Sequence, residues 1–571
     1  MPTQRPFIDM HIHLFNAQYL PLAQILYAFG VPKLLAKGLE KVAIAITGVS
    51  DLGRPDDEDP LEDKLVKALM ARDTEALMDA TSRRLRFWIR RYQRQAERSP
   101  EDHDRFNAAL SGIDALAEAT GHDKSKGDPV STRILSEEIR EASVFDDKNI
   151  GIDVLDRLFA DAFTRAGEAV EGEDFLHDAA HLHLELDPSP EDGAMKSLFG
   201  IDDSQLENLS QVLIFIAVMA LSEKARFRVL EIDYNRHKPD EGYDATHYVG
   251  LLMDMYEAYA ERHGRNFDLP YFEFKQQMTR MGQLAKHTDG QLISFGAVDP
   301  FRSGDWKSYI RHGLENGAKG FKIYPPLGFR AIDDPAIHTP INPSETVDQA
   351  YRNRAVQPAP SAHAQRAMSE ILPFFARNDL RLFTHCTPIG FEVERGFGVY
   401  SDPGVWRHAM DTYDAQNLWL FLGHGGGTTG VDWFGWAAAT DAEFEQTFAY
   451  RAIKMVEDYD NVYMGLGYIF EILHEDHGHA GMQHDRFVAR LMQQLTQDKP
   501  AGAKHHFRDK VCYGTDWSMP RAIGRTREYL NAFYDFFDHL EVDESTRELW
   551  AQKFFDGNAR RYLGLPARAD T

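Results

Sequence analysis

The sequence has little cysteine and no long apolar run. Only Cys386 and Cys512 are cysteines among 571 residues, and two thiols do not form the disulfide framework of a small secreted domain. We therefore expect reduced cysteines and a cytoplasmic protein. The apolar stretch Val212–Leu221 is far shorter than the roughly 20 residues that a membrane-spanning helix needs. No membrane span is expected.

The sequence also lacks an excess of positive charge. It contains 89 Asp and Glu residues against 63 Lys and Arg residues, which gives a formal net charge of -26. Such a field repels polyanions, so nucleic acid is not an expected partner. A small anionic substrate stays possible, because one metal ion or one arginine dominates the local potential. We expect a small-molecule substrate and a homo-oligomer, with a dimer favoured.

Composition divides the chain into three parts. Residues 1–50 contain a first apolar strand and an apolar helical segment, and residues 51–203 are charged with a helical pattern. Residues 204–571 alternate between helical patterns and short apolar runs. We interpret the middle part as an inserted helical subdomain, whose role as a lid, a subunit contact or a regulatory module stays open.

Eight short apolar segments, separated by helical patterns, predict a parallel (β/α)8 barrel of the TIM type. A strand that is buried on both faces is a near-continuous apolar run, and its alternation with helices indicates this fold. An open doubly wound sheet is the alternative. The eight segments are Pro6–Phe15, Phe227–Tyr234, Gln291–Pro300, Ala318–Tyr324, Leu380–His385, Leu418–His424, Val462–Tyr468 and Lys510–Asp516.

Histidines and one carboxylate lie at the ends of these strands. His11 and His13 share one face of the first strand, because side chains alternate along a strand. His385, His424 and Asp516 each end a later strand, and in a closed barrel these ends meet at the mouth that carries catalytic groups. Three histidines and a carboxylate suit a catalytic zinc-type site with an open position for water. Taken alone, His385 or His424 would more often be a hydrogen-bonded core histidine, and Asp516 could be a helix N-cap.

Six segments together resemble the motifs of a known family. They are residues 8–13 (IDMHIH), 317–325 (GAKGFKIYP), 384–386 (THC), 423–426 (GHGG), 513–516 (YGTD) and 557–565 (GNARRYLGL). The family that they resemble is the amidohydrolase superfamily, in the branch of the aminocarboxymuconate semialdehyde decarboxylase-like enzymes (amidohydrolase 2). The resemblance covers residues 1 to about 16 and about 225 to 566, so it leaves out the inserted part.

This resemblance implies one divalent ion, most often zinc, with manganese, iron or cobalt as alternatives. The ligands that it implies are His11, His13, His385 and Asp516. It further implies that His424 lies beside the ion as an electrostatic or proton-transfer group. Asp516 would also take a proton from the attacking water.

Other polar residues have less definite roles. Lys322 would bridge a second metal if it is carboxylated, and would otherwise hold a substrate carboxylate through its charge; a mononuclear site is favoured. Arg330, Glu392 and Arg395 follow strands and are predicted to bind substrate, with surface ion pairs as the alternative. Asp9 is interpreted as an acid near the histidines, since ligating imidazoles need an oriented acceptor.

These observations predict a metal-dependent hydrolase that activates a metal-bound water to attack an amide, ester or lactone of a small, carboxylated substrate. The alternative is a non-oxidative decarboxylase or hydratase on the same metal framework, because fold and ligands do not fix the reaction. A third hypothesis is a catalytically silent binding protein. The complete ligand set argues against it.

Overall fold

A computed structural model describes most of the barrel and part of the inserted segment. The helices among the described residues include none that is long and apolar enough to cross a bilayer. The described residues are 6–28, 31–47, 62–71, 73–95, 100–119, 162, 165, 214–235, 244–264, 269–302, 305–332, 359–388, 390–394, 396–427, 441–445, 447–473, 479–519 and 522–568.

Eight parallel strands form one sheet, in which each strand pairs with the next in chain order. The first and last strands also meet, because Ile12 and Trp517 form a parallel bridge and the Asp516 amide donates to the His11 carbonyl at 2.8 Å. The sheet therefore closes, which confirms the TIM barrel and excludes the open sheet. The strands are β1 (Pro6–Ile12), β2 (Asp244–Leu251), β3 (Leu292–Ala297), β4 (Gly320–Ile323), β5 (Arg381–His385), β6 (Trp419–Gly423), β7 (Val462–Leu466) and β8 (Val511–Tyr513).

The described elements between β1 and β2 are all helical, which confirms the helical insertion. Helix α5 packs on α2 so closely that a Cβ on Gly38 would lie 2.6 Å from the Leu116 side chain. The boundaries at residues 51 and 203 stay predictions. The helices of this part are α1 (Leu22–Ala28), α2 (Lys33–Thr47), α3 (Glu62–Ala71), α4 (Thr74–Gln95), α5 (Pro100–Ala119) and α6 (Glu223–Asn235).

The remaining described helices connect the strands and cover the barrel. Short 3-10 turns follow several strand ends, among them Pro325–Leu327 after β4 and His424–Gly426 after β6. The helices are α7 (Tyr256–His263), α8 (Phe274–His287), α9 (Trp306–Glu315), α10 (Ala362–Arg377), α11 (Pro403–Thr412), α12 (Asp441–Phe444), α13 (Phe448–Asp458), α14 (His479–Thr496), α15 (Thr526–Asp538), α16 (Glu544–Gln552) and α17 (Asn558–Leu563).

The assignment of the second strand to Phe227–Tyr234 is wrong. That segment lies in α6, and the second strand is Asp244–Leu251. The buried residues of α6 include Arg226, Leu230 and Asp233, whose spacing of three to four residues places them on one face of a helix. A short apolar run fits a buried strand and a buried helix equally well, and its periodicity alone does not separate them.

Side chains fill the barrel interior. The rings of Phe383 and Phe421 stack with their centroids 4.8 Å apart, and the Tyr562 ring lies 5.1 Å from Phe421. Tyr562 belongs to α17 and its carbonyl accepts a hydrogen bond from Arg381, the first residue of β5. Helix α17 therefore covers the amino-terminal end of the barrel. The buried polar residues His11, His385 and His424 lie at the opposite, carboxyl-terminal mouth.

Phe421 offers a test of this interior packing. Replacing it with Ala should lower the free energy of unfolding by about 3–5 kcal/mol, because a fully buried aromatic ring leaves a cavity behind. Urea denaturation measures the loss. The control Leu549→Ala, at a side chain that is 48% exposed, should change stability by no more than about 0.5 kcal/mol. Equal losses in the two variants would contradict a packed interior.

Candidate metal centre

Three of the predicted ligands come together at the carboxyl-terminal mouth. His11 lies in β1, His13 directly follows it, and Asp516 lies three residues after β8. Nε2 of His11 is 2.9 Å from Oδ1 of Asp516, and Nε2 of His13 is 3.1 Å from the same oxygen. The ligand atoms of all three buried residues lie within 4.8 Å of one another. This spacing suits coordination of a single ion.

The protonation of His13 indicates a cation at this position. Its Nδ1 lies 3.0 Å from the carbonyl oxygen of Leu251, and a carbonyl only accepts, so we assign the ring proton to Nδ1. Burial lowers the pKa of His13, so the ring is neutral at neutral pH and Nε2 carries a lone pair. Two acceptors, His13 Nε2 and Asp516 Oδ1, then face each other. A divalent ion converts this repulsion into coordination, so the residues fit a metal.

Lys322 lies beside the ligands. Its Nζ is 3.3 Å from Nε2 of His11 and 4.3 Å from the ring centroid of Phe383. Burial lowers the pKa of Lys322 to about 7, so charged and neutral forms coexist near neutral pH. Both predicted roles, as a second-metal bridge after carboxylation and as a substrate-binding cation, require this location. The choice between them stays a prediction.

His424 borders the ligand group, whereas His385 is not part of it. The His424 ring centroid lies 4.7 Å from that of His11 and 4.7 Å from that of His385. Nδ1 of His424 is 3.0 Å from the Gly467 carbonyl, and burial lowers the pKa of His424 to about 4. His424 is therefore neutral, with Nε2 free of a proton. The His385 ring lies 4.5 Å from the Tyr324 ring, and its role as a ligand stays a prediction.

The loop residues that were predicted to bind substrate have different environments. The Arg330 guanidinium lies 5.1 Å from the ring centroid of Tyr400. The Glu392 carboxylate accepts hydrogen bonds from two backbone amides of its own loop, so this acid shapes the chain after β5. Arg395 lies outside the described residues. Substrate binding by these three residues stays a prediction.

Asp9 is near the histidines, as expected, but it binds two backbone amides and two hydroxyl groups instead of their rings. Its Oδ1 accepts from the amides of His11 and Thr515, both at 3.0 Å. Its Oδ2 accepts from the Thr515 hydroxyl at 2.6 Å and from the Tyr234 hydroxyl at 2.7 Å. Carbonyl oxygens of neighbouring strands orient the rings of His13 and His424 instead. A carbonyl acceptor has no signature in the sequence. The sequence does not single out Thr515 and Tyr234 either, because their hydroxyl groups meet Asp9 across 506 and 225 residues of chain.

Backbone strain marks three consecutive strand ends at this mouth. His424, Tyr468 and Asp516 have φ angles of 64°, 62° and 60°. This left-handed region disfavours residues with a Cβ, and such residues concentrate at functional sites. Two of the three were predicted from their positions at strand ends. Tyr468 was not, because an aromatic residue after an apolar strand is indistinguishable from core in the sequence.

Comparisons with known proteins find similar structures, although no family model and no curated protein matches the chain. An uncharacterised TIM-barrel protein from Bordetella bronchiseptica is 12% identical, with a TM-score of 0.34, over 60% of this chain and 82% of its own. A 2,6-dihydroxybenzoate decarboxylase from Rhizobium is 12% identical, with a TM-score of 0.32, over 59% of this chain and 87% of its own.

A third similar structure is a 5-carboxyvanillate decarboxylase from Novosphingobium aromaticivorans. It is 15% identical, with a TM-score of 0.31, over 66% of this chain and 91% of its own. That enzyme was solved with bound manganese and 3-methoxy-4-hydroxy-5-nitrobenzoic acid.

The metal centre can be tested by removing one imidazole. Protein purified without added metal should contain about one equivalent of a divalent ion, and His13→Ala should lose it, because the loss of one imidazole leaves too few ligands to hold an ion firmly. Elemental analysis by mass spectrometry measures the content. His505→Ala is the control, since His505 pairs with Asp460 at 2.8 Å on the surface. Undiminished metal in His13→Ala would rule out this centre.

Proposed function

We propose that this protein is a metal-dependent hydrolase of the amidohydrolase superfamily. The substrate class that we assign is an amide, ester or lactone of a small, carboxylated molecule. The observation that supports this most directly is the arrangement of two neutral imidazoles around one carboxylate oxygen, formed by His11, His13 and Asp516. Nitrogen and carboxylate ligands favour zinc, followed by manganese, iron or cobalt. The homodimer and the cytoplasmic location stay predictions.

The ligand residues also position the proton transfers. A metal ion held by them supplies Lewis-acid activation of water and of the substrate carbonyl. Oδ1 of Asp516 faces the rings of His11 and His13, so Oδ2 is the atom that we assign to receive the proton of the attacking water. Nε2 of His424 is left as an acceptor that faces the site, because Nδ1 already donates to the Gly467 carbonyl.

The position of Lys322 is the reason for assigning a carboxylated substrate. Its charged form is a buried ammonium 3.3 Å from His11 Nε2, and a carboxylate is the natural counter-ion for such a group. A substrate held there has its acid group next to the ligands.

A non-oxidative decarboxylase or hydratase is the second candidate, and the same lysine favours it. Decarboxylation requires a carboxylate that is held beside the metal, and Lys322 Nζ offers a cation at that place. The two reactions differ in the bond that breaks. Product analysis therefore separates them, whereas the ligand geometry serves both.

A product-resolved screen tests the function. Zinc- or manganese-loaded protein is incubated with lactones, amides and aromatic acids, while acid release and carbon dioxide release are recorded separately. Acid release without carbon dioxide supports the hydrolase. Carbon dioxide release from aromatic acids would contradict the hydrolase and support the decarboxylase. No turnover by the metal-loaded protein would support the silent binding protein.

Asp516→Asn should lower turnover about 10²–10⁴-fold, because an amide does not take the proton that we assign to Oδ2. The ratio of kcat values measures this loss. Asp460→Asn is the matched control, since the Asp460 side chain is 65% exposed and pairs with Lys504 on the surface. Unchanged turnover in Asp516→Asn would remove this residue from the reaction.

A further inference from the structure

The metal ligands lie on the two sides of the seam at which the barrel closes. His11 and His13 belong to the β1 side, and Asp516 belongs to the loop after β8, a strand of three residues. The Asp516 amide bonds the His11 carbonyl, and the His13 amide bonds the Trp517 carbonyl. The geometry of the metal site therefore depends on how firmly these two segments are held together.

Arg226 joins these segments from outside the barrel. Its side chain is fully buried, and its Nη2 donates to the His13 carbonyl at 2.9 Å and to the Ser518 hydroxyl. Ser518 lies two residues after Asp516, and its hydroxyl is 3.3 Å from the same His13 carbonyl. Nη2 of Arg226 thus connects His13, on the β1 side of the seam, with Ser518, on the β8 side.

The chemistry of this contact is unusual for a buried cation. The other guanidinium nitrogen, Nη1, donates to the Val218 carbonyl at 2.7 Å. Among the described residues, all hydrogen-bond partners of Arg226 are neutral carbonyl, hydroxyl or thioether groups. Burying a guanidinium without a bonded carboxylate costs free energy. The planar guanidinium has donors in fixed directions, and it offsets that cost by holding three chain segments, at Val218, His13 and Ser518, in one geometry.

Helix α6, which carries Arg226, contacts the seam at a second point. The Tyr234 hydroxyl donates to Oδ2 of Asp9 at 2.7 Å, and Oδ1 of Asp9 accepts from the amides of His11 and Thr515. Arg226 and Tyr234 are eight residues apart, which is about two helical turns. Helix α6 therefore contacts the seam at two places, at His13 and Ser518 through Arg226 and at Asp9 through Tyr234.

We propose that Arg226 is a positioning residue for the metal centre, and that through it the docking of α6 is coupled to the metal affinity of the barrel. This inference rests on the proposed function, because it requires that His11, His13 and Asp516 hold an ion. The coupling is reciprocal: a docked α6 aligns the ligands, and a bound ion stabilises the docked helix.

The first measurement is the affinity of metal-stripped protein for zinc, determined by competition with a chromophoric chelator. Arg226→Met keeps the volume and removes the fork, and it should weaken zinc binding about 10- to 100-fold. Arg226→Lys keeps the charge and one donor, so its loss should be smaller. The matched control is Arg84→Met, since Arg84 is equally buried and donates to the Ala220 carbonyl at 2.8 Å. Its zinc affinity should equal that of the unchanged protein.

The second measurement starts from the unchanged protein and has a readout other than affinity. Zinc should slow amide hydrogen exchange across Glu223–Asn235, and it should leave exchange in the peripheral helix Glu544–Gln552 unchanged. In Arg226→Met the slowing should disappear. If that variant does not fold, Arg226→Lys and the exchange of the unchanged protein decide the question.

The outcomes separate the coupling through Arg226 from the proposed function. Two results together overturn the inference: zinc affinity that is unchanged in Arg226→Met, and amide exchange in α6 that zinc leaves unaffected. Where only Arg226→Lys folds, its zinc affinity takes the place of that of Arg226→Met. The proposed function survives that result. A protein that binds none of zinc, manganese, iron or cobalt overturns the proposed function and the coupling with it.

Discussion

The contact between the first strand and the loop after the last strand determines everything else at this site. It brings Thr515 against Asp9, 506 residues away in the sequence, and it places Oδ1 of Asp516 against two imidazoles. Closing so long a loop costs conformational entropy, and the burial of the whole barrel offsets that cost. No local element forms the site; it exists only once the barrel is closed.

Two buried carboxylates lie at this contact, and their surroundings differ in one decisive respect. Asp9 accepts hydrogen bonds from four donors, so its charge is satisfied by the protein itself. Asp516 faces Nε2 of His13. Because the ring proton of His13 lies on Nδ1, this Nε2 is an acceptor. Buried polar groups are normally paired with donors. The carboxylate that is opposed by an acceptor is therefore the one that fits a cation, and the satisfied one is structural.

The barrel backbone contributes directly to the chemistry. The Leu251 carbonyl, at the end of β2, and the Gly467 carbonyl, directly after β7, each accept from Nδ1 of a histidine on a neighbouring strand. These contacts fix the tautomers of His13 and His424, so that both Nε2 atoms are directed at the mouth as acceptors. The fold thus positions the histidines and also decides which of their nitrogens reacts.

The sequence by itself determined the strand–helix alternation and the placement of histidines and an aspartate at strand ends. Both follow from periodicity and from side-chain type, which are local properties of the chain. It failed for Phe227–Tyr234, where a buried helix and a buried strand have the same apolar composition. Glu392 follows a strand and its carboxylate accepts from two amides of its own loop, while its role in substrate binding stays a prediction.

Only the tertiary structure decided which groups support the ligands. The acceptors of His13 and His424 are backbone carbonyls, which every residue possesses, so no pattern of side chains indicates them. Arg226 and Asp9 act on backbone that is distant in sequence. Such contacts depend on the relative placement of α6, β1 and the loop after β8. That placement is fixed by the cooperative packing of the closed barrel, because no short segment contains both partners of any of these bonds.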